Sequence, residues 1–142
     1  MTVIFELCEQ AFLDSVFMMA APLDSLPDPE PSWAGMQVRF SGPLVGEMTL
    51  RLSRDLLGDL AANFMGTDTP PAEDVQHDAL GEVVNIICGN VLPALTEEEG
   101  VFDITHPEPL ETTADLAGDG NQVFDLYMSI DDGYGHLRLV LN

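Results

Sequence analysis

Apolar residues recur at intervals of three and four in two long stretches of the chain, and this spacing predicts two helices. The first covers residues 3–20, where one face carries Phe5, Cys8, Phe12, Val16 and Met19. The second covers residues 76–95, where the apolar face consists of Leu80, Val83, Val84, Ile87, Val91 and Ala94. Each helix has one broad apolar face, so we expect both to pack against a common core.

A shorter helix is predicted directly after Ser53, because serine is a residue type that caps helix N-termini. Gly66 suits the C-terminal cap of this helix, since glycine adopts the left-handed conformation without strain. The buried stripe of the helix would consist of Leu56, Leu57, Leu60, Ala61 and Phe64.

Strict alternation of apolar and polar residues predicts two β-hairpins, with turns at residues 41–43 and 131–135. The apolar positions of the first hairpin are Met36, Val38, Phe40, Met48, Leu50 and Leu52. Those of the second are Phe124, Leu126, Met128, Ile130, Leu137, Leu139 and Leu141. Four prolines make residues 22–32 a predicted loop. Pro107 and Pro109 follow the alternating pair Phe102 and Ile104, which indicates an edge strand or a bend there.

The predicted order is therefore helix, two strands, two helices, then three to four strands. Strands grouped in hairpins favour an antiparallel sheet with helices packed on one face, which is an α+β fold. The 142 residues suffice for one domain with a real core, and we expect a single domain over residues 1–142.

The charge of the chain excludes two classes of partner. Four arginines, no lysine and 25 acidic residues give a formal net charge of −21, which repels nucleic acid and anionic membranes. Such acidity is explained by solubility, or by adaptation to a cell interior of high salt concentration, rather than by a specific function. No stretch reaches the roughly 20 apolar residues of a membrane-spanning helix, and residues 1–6 lack the basic start of a signal peptide. Cys8 and Cys88 lie in apolar helical patterns, so we expect two buried free thiols and a cytoplasmic location.

The helix predicted over residues 76–95 carries a narrow polar strip opposite its apolar face. At about 100° per residue, Asp78, Glu82, Asn85 and Gly89 fall together on it. An ordinary solvent-facing strip would hold good helix formers, whereas asparagine is a poor one and glycine costs roughly 1 kcal/mol against alanine. The strip is therefore either a working surface or a plain polar face, and spacing leaves both open.

Other catalytic patterns are missing from the sequence. His77, His106 and His136 form no His-Glu-x-x-His arrangement, and the two cysteines have no Cys-x-x-Cys spacing, so no metal site is expected. Neither a Gly-x-Ser-x-Gly nucleophile elbow nor a glycine-rich phosphate-binding loop is present.

The strip resembles the signature helix of the CheC/CheX/FliY chemotaxis phosphatases. The matching residues are Asp78, Glu82 and Asn85, followed by Ile-Ile-Cys-Gly-Asn over residues 86–90. The family pattern continues with a proline about two dozen residues later, a position that Pro107 and Pro109 bracket. Residues 38–42, 46–50 and 65–66 also resemble the family, so the resemblance covers roughly residues 36–110. One such helix, rather than two, is typical of CheX-like members.

The resemblance implies a phosphatase for the aspartyl phosphate of a CheY-type response regulator. Asn85 would position the attacking water, and Glu82 would pair with the active-site lysine of the regulator. Asp78 would be a rim contact or a plain helix residue, and Gly89 would let the two surfaces approach closely. The chain would need no cofactor of its own, because magnesium comes with the phosphorylated regulator.

Two further expectations come from the resemblance. One is a homodimer formed by extending the sheet. The other is an alternative function, in which the same helix binds a response regulator or a flagellar switch component as a non-catalytic adaptor.

Overall fold

The computed structural model describes residues 2–110 and 122–142 and confirms the α+β class. Helix α1 and strand β1 come first, a hairpin and two helices follow, and a second hairpin comes last. The bounds are α1 Thr2–Val16, β1 Ala20–Leu23, β2 Trp33–Ser41, β3 Gly46–Ser53, α2 Leu57–Met65, α3 Glu73–Ala94, β4 Asp103–Ile104, β5 Glu108–Leu110, β6 Gln122–Ile130 and β7 Gly133–Leu141.

The seven strands of the described residues form one sheet in the order β1-β6-β7-β3-β2-β4, and β5 also pairs with β2. Every pairing is antiparallel. Both predicted hairpins are confirmed, because β2 pairs with β3 and β6 pairs with β7. The strands central to the sheet therefore come from the two segments with the clearest alternation.

The core lies between one face of the sheet and the three helices. Strand β3 contributes Met48, Leu50 and Leu52, which are fully buried beside residues of all three helices. Cys8 and Cys88 are buried free thiols, as expected, and burial raises the pKa of each to about 12. Neither thiol therefore ionises at neutral pH.

The first helix ends earlier than its apolar spacing indicates. It stops at Val16 rather than residue 20, because Phe17 takes a left-handed backbone conformation with φ 56°. Residues 20–23 then form β1 against the end of β6, so the predicted loop over residues 22–32 begins too early. Pro22 is tolerated in β1 because this strand lies at the edge of the sheet, where a missing N–H costs no ladder bond.

Three local predictions about helix ends have different outcomes. Ser53 does not cap a helix, because it ends β3 and its hydroxyl accepts the Tyr134 N–H at 2.8 Å, while a 3₁₀ turn leads into α2. Gly66 is confirmed as the C-cap of α2, with φ 71°. Helix α3 begins at Glu73 rather than residue 76, and Ala94, predicted on its apolar face, is exposed in its last turn.

The sheet face opposite the helices carries a buried polar chain. Arg51 Nη2 donates to His136 Nδ1 at 2.8 Å, and His136 Nε2 lies 2.7 Å from Asp125 Oδ1. Arg138 also bonds Asp125. Because arginine only donates, His136 must accept at Nδ1 and donate from Nε2, which is the neutral tautomer. Burial lowers the pKa of His136, and the Arg51 charge adds to this against the opposing effect of Asp125.

Acid should weaken the fold through His136. Its pKa lies below the ordinary 6.5 in the folded protein, so the unfolded chain binds this proton first and stability is lost as pH falls below about 6.5. The quantity to compare is the unfolding free energy of the wild type minus that of His136→Gln. We expect this difference to fall by up to about 1.4 kcal/mol for each unit by which the pH is lowered in this range. Urea unfolding at a series of pH values measures it. A difference that stays constant with pH would contradict the neutral tautomer.

Candidate functional site

Helix α3 presents the predicted strip because its opposite, apolar face is packed. Leu80, Val83, Val84 and Ile87 have no exposed surface, since they lie in the core between sheet and helices. The rotation of the helix about its axis is thereby set, and it leaves the strip outward. Asp78, Glu82 and Gly89 are exposed and Asn85 is half-buried.

The amide of Asn85 is the unusual group of this strip. Its Oδ1 atom is buried and has no hydrogen-bond partner. Leaving a buried acceptor unpaired costs about 1–3 kcal/mol, so folding gives no reason for an asparagine here. Glu82 lies three residues earlier, at the spacing that makes side chains neighbours on a helix surface. The arrangement offers one carboxylate beside one amide that can both donate and accept.

A groove of about 310 Å³ runs between α3 and the segment that joins β4 to β5. Its lining residues are Met36, Asp78, Gly81, Glu82, His106 and Pro107. Two residues of the strip, Asp78 and Glu82, thus share a concave surface with an exposed histidine. Sequence reasoning treated His106 as an isolated histidine and missed this position. Its only signal in the sequence is that it directly precedes Pro107.

Pro107 and Pro109 have different surroundings. Pro107 is buried against Gly81, where an added Cβ would lie 3.1 Å from the Pro107 Cβ. Pro109 is exposed in β5, opposite Met36 of β2. Pro107 is therefore the proline that contacts the signature helix, one residue before the position that the family spacing predicts.

Gly89 is a glycine of α3 that packing does not require. A Cβ added there would meet no atom within 4 Å, whereas one at Gly81 would press on Pro107 and Met36. The helix nevertheless gives up about 1 kcal/mol of propensity at an exposed glycine. The open space at Gly89 would allow the surface of a partner to approach the helix closely.

Across residues 2–110 and 122–142, no cluster of histidine, cysteine or acidic side chains has the arrangement of a metal site. In the same residues, no helix is long and apolar enough to cross a membrane.

Solved structures with the same fold define the class. The chain superposes on the CheX protein of Vibrio vulnificus with a TM-score of 0.77 at 14% identity, covering 98% of this chain and 93% of that one. A CheC-like superfamily protein from Shewanella sp. PV-4 gives 0.76 at 17% identity, with 98% and 94% covered. CheX in a CheX–CheY–BeF3–Mg complex from Borrelia burgdorferi gives 0.70 at 15%, with 98% and 95% covered. The fold is thus that of the CheC/CheX class.

The family model described as chemotaxis phosphatase CheX matches residues 34–122, which is more than half of the chain. The chain belongs to this CheX family. Comparison with curated proteins gives no match. The matched region contains both arms of the first hairpin, α2, α3 and Pro107, and so includes the whole strip and its groove.

The two glycines of α3 should respond differently to alanine. Gly89→Ala should stabilise the protein by up to about 1 kcal/mol, because it gains helix propensity without a clash. Gly81→Ala should be less stable than Gly89→Ala by about 1 kcal/mol or more, since the Pro107 ring must shift. Urea unfolding of both variants measures this. Equal midpoints would contradict the packing of Pro107 on Gly81.

Proposed function

We propose that this protein hydrolyses the aspartyl phosphate of a CheY-type response regulator. The observation that carries the proposal is the amide of Asn85, with a buried and unpaired oxygen, beside the exposed carboxylate of Glu82 on the signature helix of a CheX family member. Because this oxygen is buried in the free protein, the proposal requires the Asn85 amide to turn outward when the complex forms, where its oxygen gains a water or a partner group as a hydrogen-bond donor.

The proposed mechanism is one of positioning. Phosphoryl transfer requires mainly an in-line nucleophile and charge stabilisation, so one oriented water can account for a large acceleration. Asn85 holds that water through its amide, which both donates and accepts. Glu82 pairs with the active-site lysine of the regulator and sets the alignment of Asn85 against the phosphorus. These two residues are the proposed catalytic pair.

The rest of the strip serves docking in this proposal. Asp78 and His106 form the rim of the groove next to Glu82, and Gly89 gives the backbone of the partner room to approach. A Gly89→Ala enzyme would then be more stable yet bind its partner less well. Higher stability together with weaker binding in Gly89→Ala would show that Gly89 serves docking, since a glycine needed for folding would lose stability when replaced.

Magnesium enters with the partner. The Borrelia burgdorferi structure contains CheX, CheY, BeF3 and Mg²⁺ together. By analogy, we propose that the phosphorylated regulator brings its own magnesium ion and that this chain supplies no ligand to it.

A non-catalytic adaptor is the second candidate. The same helix could bind a response regulator or a flagellar switch component without hydrolysis. Docking alone does not call for an amide with an unpaired buried oxygen, and this observation favours the enzyme.

The decisive substitution is Asn85→Ala, tested on a phosphorylated CheY-type regulator by release of inorganic phosphate. We expect a loss on the order of a hundredfold or more, as when one preorganised group is removed from other enzymes. Asn90→Ala is the matched control, because Asn90 is an exposed asparagine of the same helix outside the strip. Equal rates for Asn85→Ala and the wild type would refute the mechanism. Retained binding to the regulator with no turnover by the wild type would establish the adaptor.

We also propose a homodimer formed by extending the sheet. Among the described strands, β1 lies at one edge, and β4 and β5 lie at the other. An edge strand presents backbone groups that can pair with another chain. Light scattering should give about twice the 15.4 kDa mass of the chain. A monomer mass at working concentration would count against the dimer.

A further inference from the structure

An exposed apolar tip joins α1 to β1. We define this tip by its residues Leu13, Phe17 and Met19, whose exposed fractions are 45%, 70% and 74%. None of them lies on α3, so the tip is separate in sequence from the proposed catalytic strip. Met18, between the last two, is buried, which directs its neighbours outward.

Hydrogen bonds to the backbone brace the tip on both sides. The N–H of Phe17 donates to Leu13 O and that of Met18 donates to Phe12 O, each at 3.2 Å, which closes the end of α1. On the other side, Met19 N–H donates to Asp131 Oδ1 at 3.0 Å, and Asp131 N–H donates back to Met19 O at 3.0 Å. The backbone that carries the apolar side chains is therefore hydrogen-bonded to α1 on one side and to the turn at Asp131 on the other.

The residue type at position 17 works against folding. Phe17 has φ 56°, a conformation that glycine adopts freely and that a residue with a Cβ adopts only with strain. The helix end therefore needs a left-handed residue but has no use for a phenyl ring, which remains 70% exposed and gains little from burial. The strain at Phe17 is not offset by burial of its ring, so we look for the role of this residue in binding rather than in folding.

The surroundings of the tip indicate the charge of its partner. Asp14 is exposed within α1, and Asp131 and Asp132 are exposed in the turn that bonds Met19. A second copy docked tip to tip would place these exposed carboxylates against their own counterparts. The tip therefore combines an apolar centre with an acidic rim. An amphipathic helix matches both, because its apolar face can contact the centre while basic residues beside that face contact the aspartates.

We propose that the tip formed by Leu13, Phe17 and Met19 docks a cationic amphipathic helix of a partner protein. Phe17 is the anchor, and the strain at its backbone is retained because the ring is held ready for binding. This surface is additional to the α3 strip and does not depend on the phosphatase proposal.

The test uses a synthetic helix of about 18 residues, or five turns, made of leucine and lysine in an amphipathic pattern. A peptide of the same composition in scrambled order controls for charge. Fluorescence anisotropy at about 150 mM salt, where exposed charges more than about 8 Å apart are screened, should show tighter binding of the patterned peptide by tenfold or more. Phe17→Gly and Met19→Ser should each abolish this preference. Val101→Ser, which removes another exposed apolar side chain, should preserve it.

Stability measurements keep the test independent of folding. Phe17→Gly should unfold at the same temperature as the wild type or higher, because glycine accepts this φ without strain. Equal binding of patterned and scrambled peptides would overturn the proposal, as would an unchanged preference in Phe17→Gly. A concentration-dependent dimer that Phe17→Gly abolishes would also overturn it, by identifying a second copy as the occupant.

Discussion

Burial of α3 against the sheet and its neighbouring helices is the constraint on which the proposed site depends. Each large apolar side chain buried in this way contributes about 1.5–3 kcal/mol, so rotating the helix out of register would lose several such contributions. The residues with no exposed surface include Leu80, Val83, Val84 and Ile87. The same rotation directs Asp78, Glu82 and Gly89 outward and leaves Asn85 half-buried. The strip is thereby preorganised by packing rather than by its own interactions.

Helices α1, α2 and α3 contain no arginine or lysine, and Arg54 lies in the 3₁₀ turn just before α2. Arg51 and Arg138 lie instead on the opposite sheet face, in the chain of hydrogen bonds through His136 and Asp125. The proposed site is therefore acidic as well as exposed. Under the proposed function, binding to an acidic phosphorylation pocket would rely on the lysine and the magnesium ion of the regulator, and the lysine is the group that we propose pairs with Glu82.

The elements predicted correctly from the sequence are those with a regular period of apolar residues, because one face of each packs against the core along its length. The strands predicted from alternation in both hairpins are confirmed, and the predicted apolar face of α3 is confirmed except at Ala94, which is exposed. The end of α1 was missed because Phe17 is not a residue type that normally adopts positive φ. Ser53 was misread because its hydroxyl bonds Tyr134 in a strand that lies far away in the sequence. The same reason hid the groove, since His106 and Pro107 reach α3 only through the folding of β4 and β5 against β2.

Catalytic turnover tests the central claim most directly. A phosphorylated CheY-type regulator in large excess over this protein should lose its phosphate much faster than it does alone. The rate should be proportional to the amount of protein added, and each protein molecule should release many phosphates. A regulator that keeps its spontaneous rate of hydrolysis, while still binding the protein, would contradict the account of Asn85 and Glu82 as a catalytic pair.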